Sequence, residues 1–173
     1  LLLMYILLAV SCSATNTKPE IVLVGSTPGD EPVKSMLAIS ADTKVDFIKW
    51  NLAFDSENKF VLNIRFGESK PNTLGFKNDG EKRTIKGTYF ITKQQENNHL
   101  KEVCQLKSEA LPGNISLVKL NDNIFHILTT QNKLMIGNGG WSYSLNRKIS
   151  IDAGKILIAS PVPDDNTLQL TYD

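Results

Sequence analysis

Apolar and polar residues alternate with a period of two over most of this chain. In residues 45–54, Ile48, Trp50, Leu52 and Phe54 fall on one face, and Lys49, Asn51 and Ala53 on the other. Phe60, Leu62, Ile64 and Phe66 repeat the pattern against Val61, Asn63 and Arg65. Ile85, Gly87, Tyr89 and Ile91 repeat it against Thr84, Lys86 and Thr88. Successive side chains of a strand point to opposite faces, so these runs predict strands with one buried face. Shorter runs at 21–24, 103–107, 115–120, 124–129, 134–136 and 141–147 read the same way, the run at 124–129 with Ile124, His126 and Leu128 on one face. Between them stand turn formers, among them Ser56-Glu57-Asn58, Asp79-Gly80, Pro112-Gly113-Asn114, Asn121-Asp122-Asn123 and Asn138-Gly139-Gly140. These residues tolerate the backbone conformations that a chain reversal needs. Around eight or nine short strands joined by hairpin turns predict an all-β fold. A small antiparallel up-and-down β-barrel is favoured, because closure removes exposed strand edges. One stretch departs from the period: Val33, Met36 and Leu37 are spaced i, i+3, i+4, predicting a single short helix near 31–38, after the first strand.

Two connections are long. The segment 67–83 is expected to cross the barrel mouth with Leu74 and Phe76 packed inward, and the polar stretch 94–102 to be a mobile hairpin loop. The inward candidates Ile48, Trp50, Leu52, Phe54, Phe60, Leu62, Ile64, Tyr89, Trp141 and Tyr143 are bulky, so they read as core before cavity. If an interior cavity exists it is apolar and suits a small hydrophobic ligand. Trp50, Tyr89, Trp141, Tyr143 and Arg147 are the candidate ligand-contacting residues.

Composition narrows the functions. Nineteen Lys and Arg against 18 Asp and Glu leave a formal charge of +1 with no basic block, which argues against a nucleic-acid surface. No nucleophile, phosphate-loop, zinc-protease or dinucleotide motif is present, so the chain reads as non-enzymatic and without a cofactor. Asp30 and Glu31, adjacent at the helix start, read as charges complementing the helix dipole. His126 reads as a satisfied core or rim histidine and His99 as a solvated loop residue.

The first twelve residues run Leu1-Leu2-Leu3-Met4-Tyr5-Ile6-Leu7-Leu8-Ala9-Val10-Ser11-Cys12. This is an apolar leader closed by small residues, too short to span a bilayer. Ala9-Val10-Ser11-Cys12 is similar to the lipobox of bacterial lipoproteins, with Ala in place of the commoner Leu three residues before the Cys. Cys12 is then the lipid-attachment site and Cys104 a lone buried thiol, although a Cys12–Cys104 disulfide is an alternative. The expected organisation is a signal peptide at 1–12, a flexible tether at 13–20 and a barrel at 21–148. Residues 149–173 form a linker and the possible start of a second, truncated repeat.

Gly25-Ser26-Thr27-Pro28, Gly87-Thr88-Tyr89, Cys104-Gln105-Leu106, Ile136-Gly137-Asn138 and Tyr143-Ser144-Leu145-Asn146-Arg147 occur in an order that resembles the NlpE-like lipoproteins. The resemblance covers about residues 21–148. It implies a lipocalin-like barrel, a role in envelope stress or copper homeostasis, and a lipid anchor in the cell envelope, expected at the periplasmic face of the outer membrane. Partners would be the membrane and either an envelope protein or a small hydrophobic ligand. The family's Pro-Cys-x-x-Cys is replaced here by Pro28-Gly29-Asp30-Glu31-Pro32, which removes the soft ligands that select Cu(I) and leaves metal binding only as an alternative. The lipocalin-like fold also suggests an arginine stacked on a tryptophan at one barrel end, with Arg147 on Trp50 as the candidate pair.

Overall fold

Eight antiparallel strands follow one another around a closed barrel, each bonded to its neighbours in sequence and the last returning to the first. The computed structural model describes residues 20–96 and 99–149. Cys12 and the leader, residues 13–19 of the tether and the segment 150–173 with its expected repeat lie outside the described residues. The strands are β1 (Ile21–Pro28), β2 (Phe47–Phe54), β3 (Lys59–Gly67), β4 (Glu81–Glu96), β5 (His99–Lys107), β6 (Ile115–Asn121), β7 (Ile124–Ile127) and β8 (Ser144–Arg147). Between β1 and β2 lies the one α-helix among the described residues, α1 (Glu31–Met36). The expected barrel and its short helix are both present.

Closure depends on close approach. Leu23 pairs with Arg147 and Val24 with Asn146, while Lys148 N–H donates to Val22 O at 2.7 Å. Gly25 lies so near β8 that a Cβ there would stand 2.7 Å from Ser144 O. β4 is the longest strand. Its first half pairs with β3 as far as Thr88–Lys59, and its second half pairs with β5 from Thr88–Lys107 to Glu96–His99. Gly87, where the two pairings meet, takes no side chain because the Phe60 ring and Lys107 O occupy that space.

The inner face is filled. Leu23, Ile48, Trp50, Leu52, Phe60, Leu62, Ile64, Phe66, Ile85, Leu106, Ile115, Leu117, Ile127 and Leu145 are buried in one continuous cluster. Val33 and Leu37 of α1 and the following Ile39 join this cluster, so the helix seals one end of the barrel. Burying apolar surface contributes about 25 cal/mol per Å², and this helix is too short to hold itself by its backbone bonds. It exists because its apolar side completes the core.

Four expectations need correction. Within the stretch 94–102, residues 94–96 and 99–102 are not a mobile loop but the ends of β4 and β5, with Lys93 opposite Glu102 and Gln94 opposite Lys101. Polar composition suggested a loop, but no Gly or Pro interrupts the run and opposite charges pair well across strands. Residues 134–136 form no strand beyond a bridge from Leu134 to Leu128, and Ile136 is 90% exposed. The run 141–147 is a strand only over Ser144–Arg147. In β7, Phe125 and Ile127 face inward, whereas Ile124 and His126 face out. A register error of one residue inverts every side chain of a strand, and this short run could be read either way.

Candidate functional site

The barrel has a base, where the turns 55–58 and 122–123 and the ends of β4 and β5 lie, and a mouth, where α1 and the longer connections lie. The mouth carries most of the polar chemistry. Arg83 continues the inward face of Ile85 into the mouth; its guanidinium lies 5.4 Å from the Phe66 ring and donates to Leu37 O at 2.8 Å and Ala38 O at 3.2 Å. Those carbonyls end α1, and a cation at a helix C-terminus is favourable. Lys34, although 8% exposed, is satisfied: its ammonium donates to Ala41 O at 2.6 Å and lies 3.3 Å from Glu31. Together the two cations pin the helix to the barrel and to the connection leading into β2.

Asp30, the residue before α1, does not cap the helix through its side chain. One carboxylate oxygen accepts the Tyr143 hydroxyl instead, while Oδ1 is buried without a partner. Burial, and next the bond to Asp30, raise the Tyr143 hydroxyl well above the ordinary tyrosine range. His126 stands edge-on to Tyr143, with Nε2 2.8 Å from Met135 O and Nδ1 3.1 Å from Ser144 Oγ. A carbonyl can only accept, so Nε2 donates to Met135 O, while Nδ1 shares a hydrogen bond with the Ser144 hydroxyl. Both ring nitrogens are engaged, as expected for a satisfied histidine.

On the outer wall beside the mouth, Phe76, Phe47 and Trp141 stack in series, at 4.2 and 4.7 Å between ring centroids. Lys49 Nζ lies 5.8 Å from the Phe47 ring and 5.6 Å from Phe76. This stack fastens the 68–80 and 128–143 connections to the outside of β2. The segment 67–83 therefore does not cross the mouth with two residues inward: Phe76 is buried against the outer wall, and Leu74 is 75% exposed. Ser69 adds a second fastening, since its N–H and Oγ donate to Asp46 at 2.7 and 2.6 Å and hold that carboxyl below its usual range.

The five residues expected to line one ligand site are scattered. Trp50 is inside, its indole N–H donating to Thr27 Oγ1 at 2.9 Å. Tyr143 is at the mouth. Tyr89 is near the base, its hydroxyl donating to Asp55 O at 3.2 Å and its ring edge-on to Phe54. Trp141 is on the outer wall, and Arg147 is exposed at the base. The Trp50–Arg147 stack is absent among the described contacts, because β8 ends at Arg147 and leaves its side chain beyond the packed interior. Arg83 supplies the mouth with its arginine, over Phe66 instead of a tryptophan. Its parity with Ile85, Gly87 and Tyr89 was the signal in the sequence.

A cleft of about 530 Å³ opens at the mouth between α1 and the connections following β5 and β7. Pro32, Ser35 and Met36 form one wall, Pro112 and Asn114 another, and Thr129 and Met135 a third. No charged side chain lines it. His126 fixes the backbone at Met135, so one wall is held from behind. Such a volume, mainly apolar with a few hydroxyl and amide groups, suits a small neutral ligand or an uncharged side chain of a partner. Elsewhere, Cys104 is buried on the inner face and its thiol is pushed up to about 12 by desolvation, so it is no thiolate ligand at neutral pH. Among the described residues no three His, Cys, Asp or Glu converge on a common point. His99 opens β5, and its side chain lies outside the described residues.

No family model, no curated protein and no solved structure matches this chain.

Proposed function

We propose that this chain is a lipid-anchored protein of the bacterial cell envelope, of NlpE-like kind, acting by non-enzymatic binding at the barrel mouth. The observation that carries the reading is the contrast between a filled interior, sealed by α1, and a cleft that opens beside that seal. A contact at the mouth biases how α1 sits, since Arg83 and Tyr143 hold its two ends and its own Lys34 ties it to Ala41 O. Envelope-stress sensing by contact with a partner is the role that fits. Apart from Asp30 Oδ1, the Arg83, Lys34, Tyr143 and His126 side chains at the mouth are engaged in structural hydrogen bonds, which supports binding over catalysis. The anchor is Cys12. Expression with an alkyne-bearing palmitate tests it: the wild-type chain takes up label and Cys12→Ser does not. An unlabelled wild-type chain would refute the anchor.

A second reading is favoured by the same cleft: carriage of a small neutral hydrophobic ligand, held at the mouth instead of the barrel axis. Native mass spectrometry of protein purified from its own membrane distinguishes the two, because a carrier retains a bound mass that Met36→Glu releases. Copper binding has little support here, as Cys104 is protonated and His126 is fully engaged.

A further inference from the structure

The base of the barrel is built differently from the mouth, and its surface is not explained by folding. Phe90, Ile91, Leu100 and Leu120 are between 44% and 71% exposed, and all lie on β4, β5 or β6 toward the base; the mouth also exposes Leu74, Leu134 and Ile136, but on its connections and not on paired strands. Register places Ile91 and Leu100 on one face of the β4–β5 hairpin, since Ile91 pairs with Cys104 and Gln95 with Leu100. Strand residues with nothing to pack against are a cost that a soluble surface avoids. Here they sit at the end where the chain enters: Glu20 N–H donates to Phe54 O, immediately before β1, and Lys148 leaves β8 beside Val22.

From these observations we propose that the base is a membrane-contacting face, with the β4–β5 hairpin resting on the lipid surface and the mouth turned away from it. This rests on Cys12 being the lipid-bearing residue. The tether from Cys12 to Glu20 spans eight residues, which reach at most about 28 Å when fully extended. β1 itself is eight residues long and rises about 3.4 Å per residue. A mouth-down orientation would therefore use nearly the whole tether in running back alongside the barrel, whereas base-down needs almost none. Lys93, Arg147 and Lys148 share the base with Asp55, Glu57, Glu102 and Asp122, so its charges balance and the contact rests on the apolar side chains, with the long cations able to keep their stems in the apolar zone.

The test is depth measurement on the full, lipidated chain in vesicles of neutral and anionic phospholipid, some carrying brominated acyl chains. Tryptophan is introduced as Leu100→Trp at the base or as Leu74→Trp at the mouth, both exposed positions, and read against the wild-type emission. The proposal expects about twofold quenching of the new emission for Leu100→Trp and almost none for Leu74→Trp. If Leu100→Trp does not fold, Ile91→Trp carries the same readout. A chain that floats with the vesicles but shows no quenching at the base, or equal quenching at both ends, overturns the orientation and leaves the anchor standing. Sedimentation showing a dimer that shields an unquenched Leu100→Trp also overturns it, with a second copy as the occupant. A chain that does not float removes the anchor, and the proposal with it.

Discussion

At the mouth, exposed backbone and long connections are tied down by charge and ring stacking; at the base, short polar turns suffice, and apolar side chains of the paired strands themselves are left facing out. The mouth holds Arg83 on the carbonyls ending α1, Lys34 on the following loop, Tyr143 on Asp30 and the Phe76–Phe47–Trp141 stack. The base holds local contacts: Asp55 accepting the N–H groups of Glu57 and Lys59, and Lys119 paired with Asp122 at 2.7 Å. One end is organised around a helix held by charged side chains, the other by short turns together with Tyr89, which donates to Asp55 O and packs on Phe54. Stability should then be concentrated at the mouth, and tolerance of substitution at the base.

Substitutions at the two ends can break this comparison. The largest effect is expected from Leu37→Ala, which removes a fully buried contact between α1 and the core; it should cost about 2–5 kcal/mol in denaturant unfolding. Leu100→Ala at the base should stay within about 0.5 kcal/mol, and equal losses would end the distinction. Next comes Tyr143→Phe, which strips the hydroxyl from a carboxylate whose other oxygen is already unpartnered, at about 1.5–3 kcal/mol. Its pH signature follows from the raised hydroxyl. The folded form holds the proton longer than the unfolded form, so this stability is full below about pH 10 and is lost as pH rises further. Wild type should lose stability more steeply than Tyr143→Phe in that range, and parallel curves would refute the bond's role.

Arg83→Met keeps the stem over Phe66 and deletes the bonds to Leu37 O and Ala38 O. A loss of about 1–2 kcal/mol is expected, with faster amide exchange in α1 and unchanged exchange in the β4–β5 hairpin. The smallest effect is that of Asp46→Asn, about 0.5 kcal/mol at neutral pH for an exposed carboxylate. Its pKa is lowered by Ser69, so the contribution is full above about pH 4 and disappears as pH falls through the folded pKa. Wild type and Asp46→Asn should converge under acid.

The waist of the barrel was legible from alternation, because β2 and β3 each have one strictly apolar face that only one register can bury. The hairpin beyond Tyr89 was not, since its residues 92–96 are polar on both faces and carry no alternation to mark the strand that pairs with β5. Nor could alternation place Trp141 or Phe76: their partner Phe47 belongs to the outer face of β2, and whether an outer-face aromatic is covered depends on distant loops. Arg147 shares parity with Leu145, yet it lies where β8 stops, and parity carries no information about where a strand ends. The mouth cleft had no sequence signal, because its walls come from connections separated by about a hundred residues and contain no chemistry that stands out.

The central claim is that the barrel is solid and binds at its mouth. Methyl-resolved NMR during titration with Nile red, a neutral apolar dye, tests it directly. The account predicts shifts at the Met36 and Met135 methyls, with those of Leu62, Ile64 and Ile85 unmoved. Shifts of the interior methyls, with the two methionines silent, would mean that the barrel opens to hold its ligand within and would contradict it.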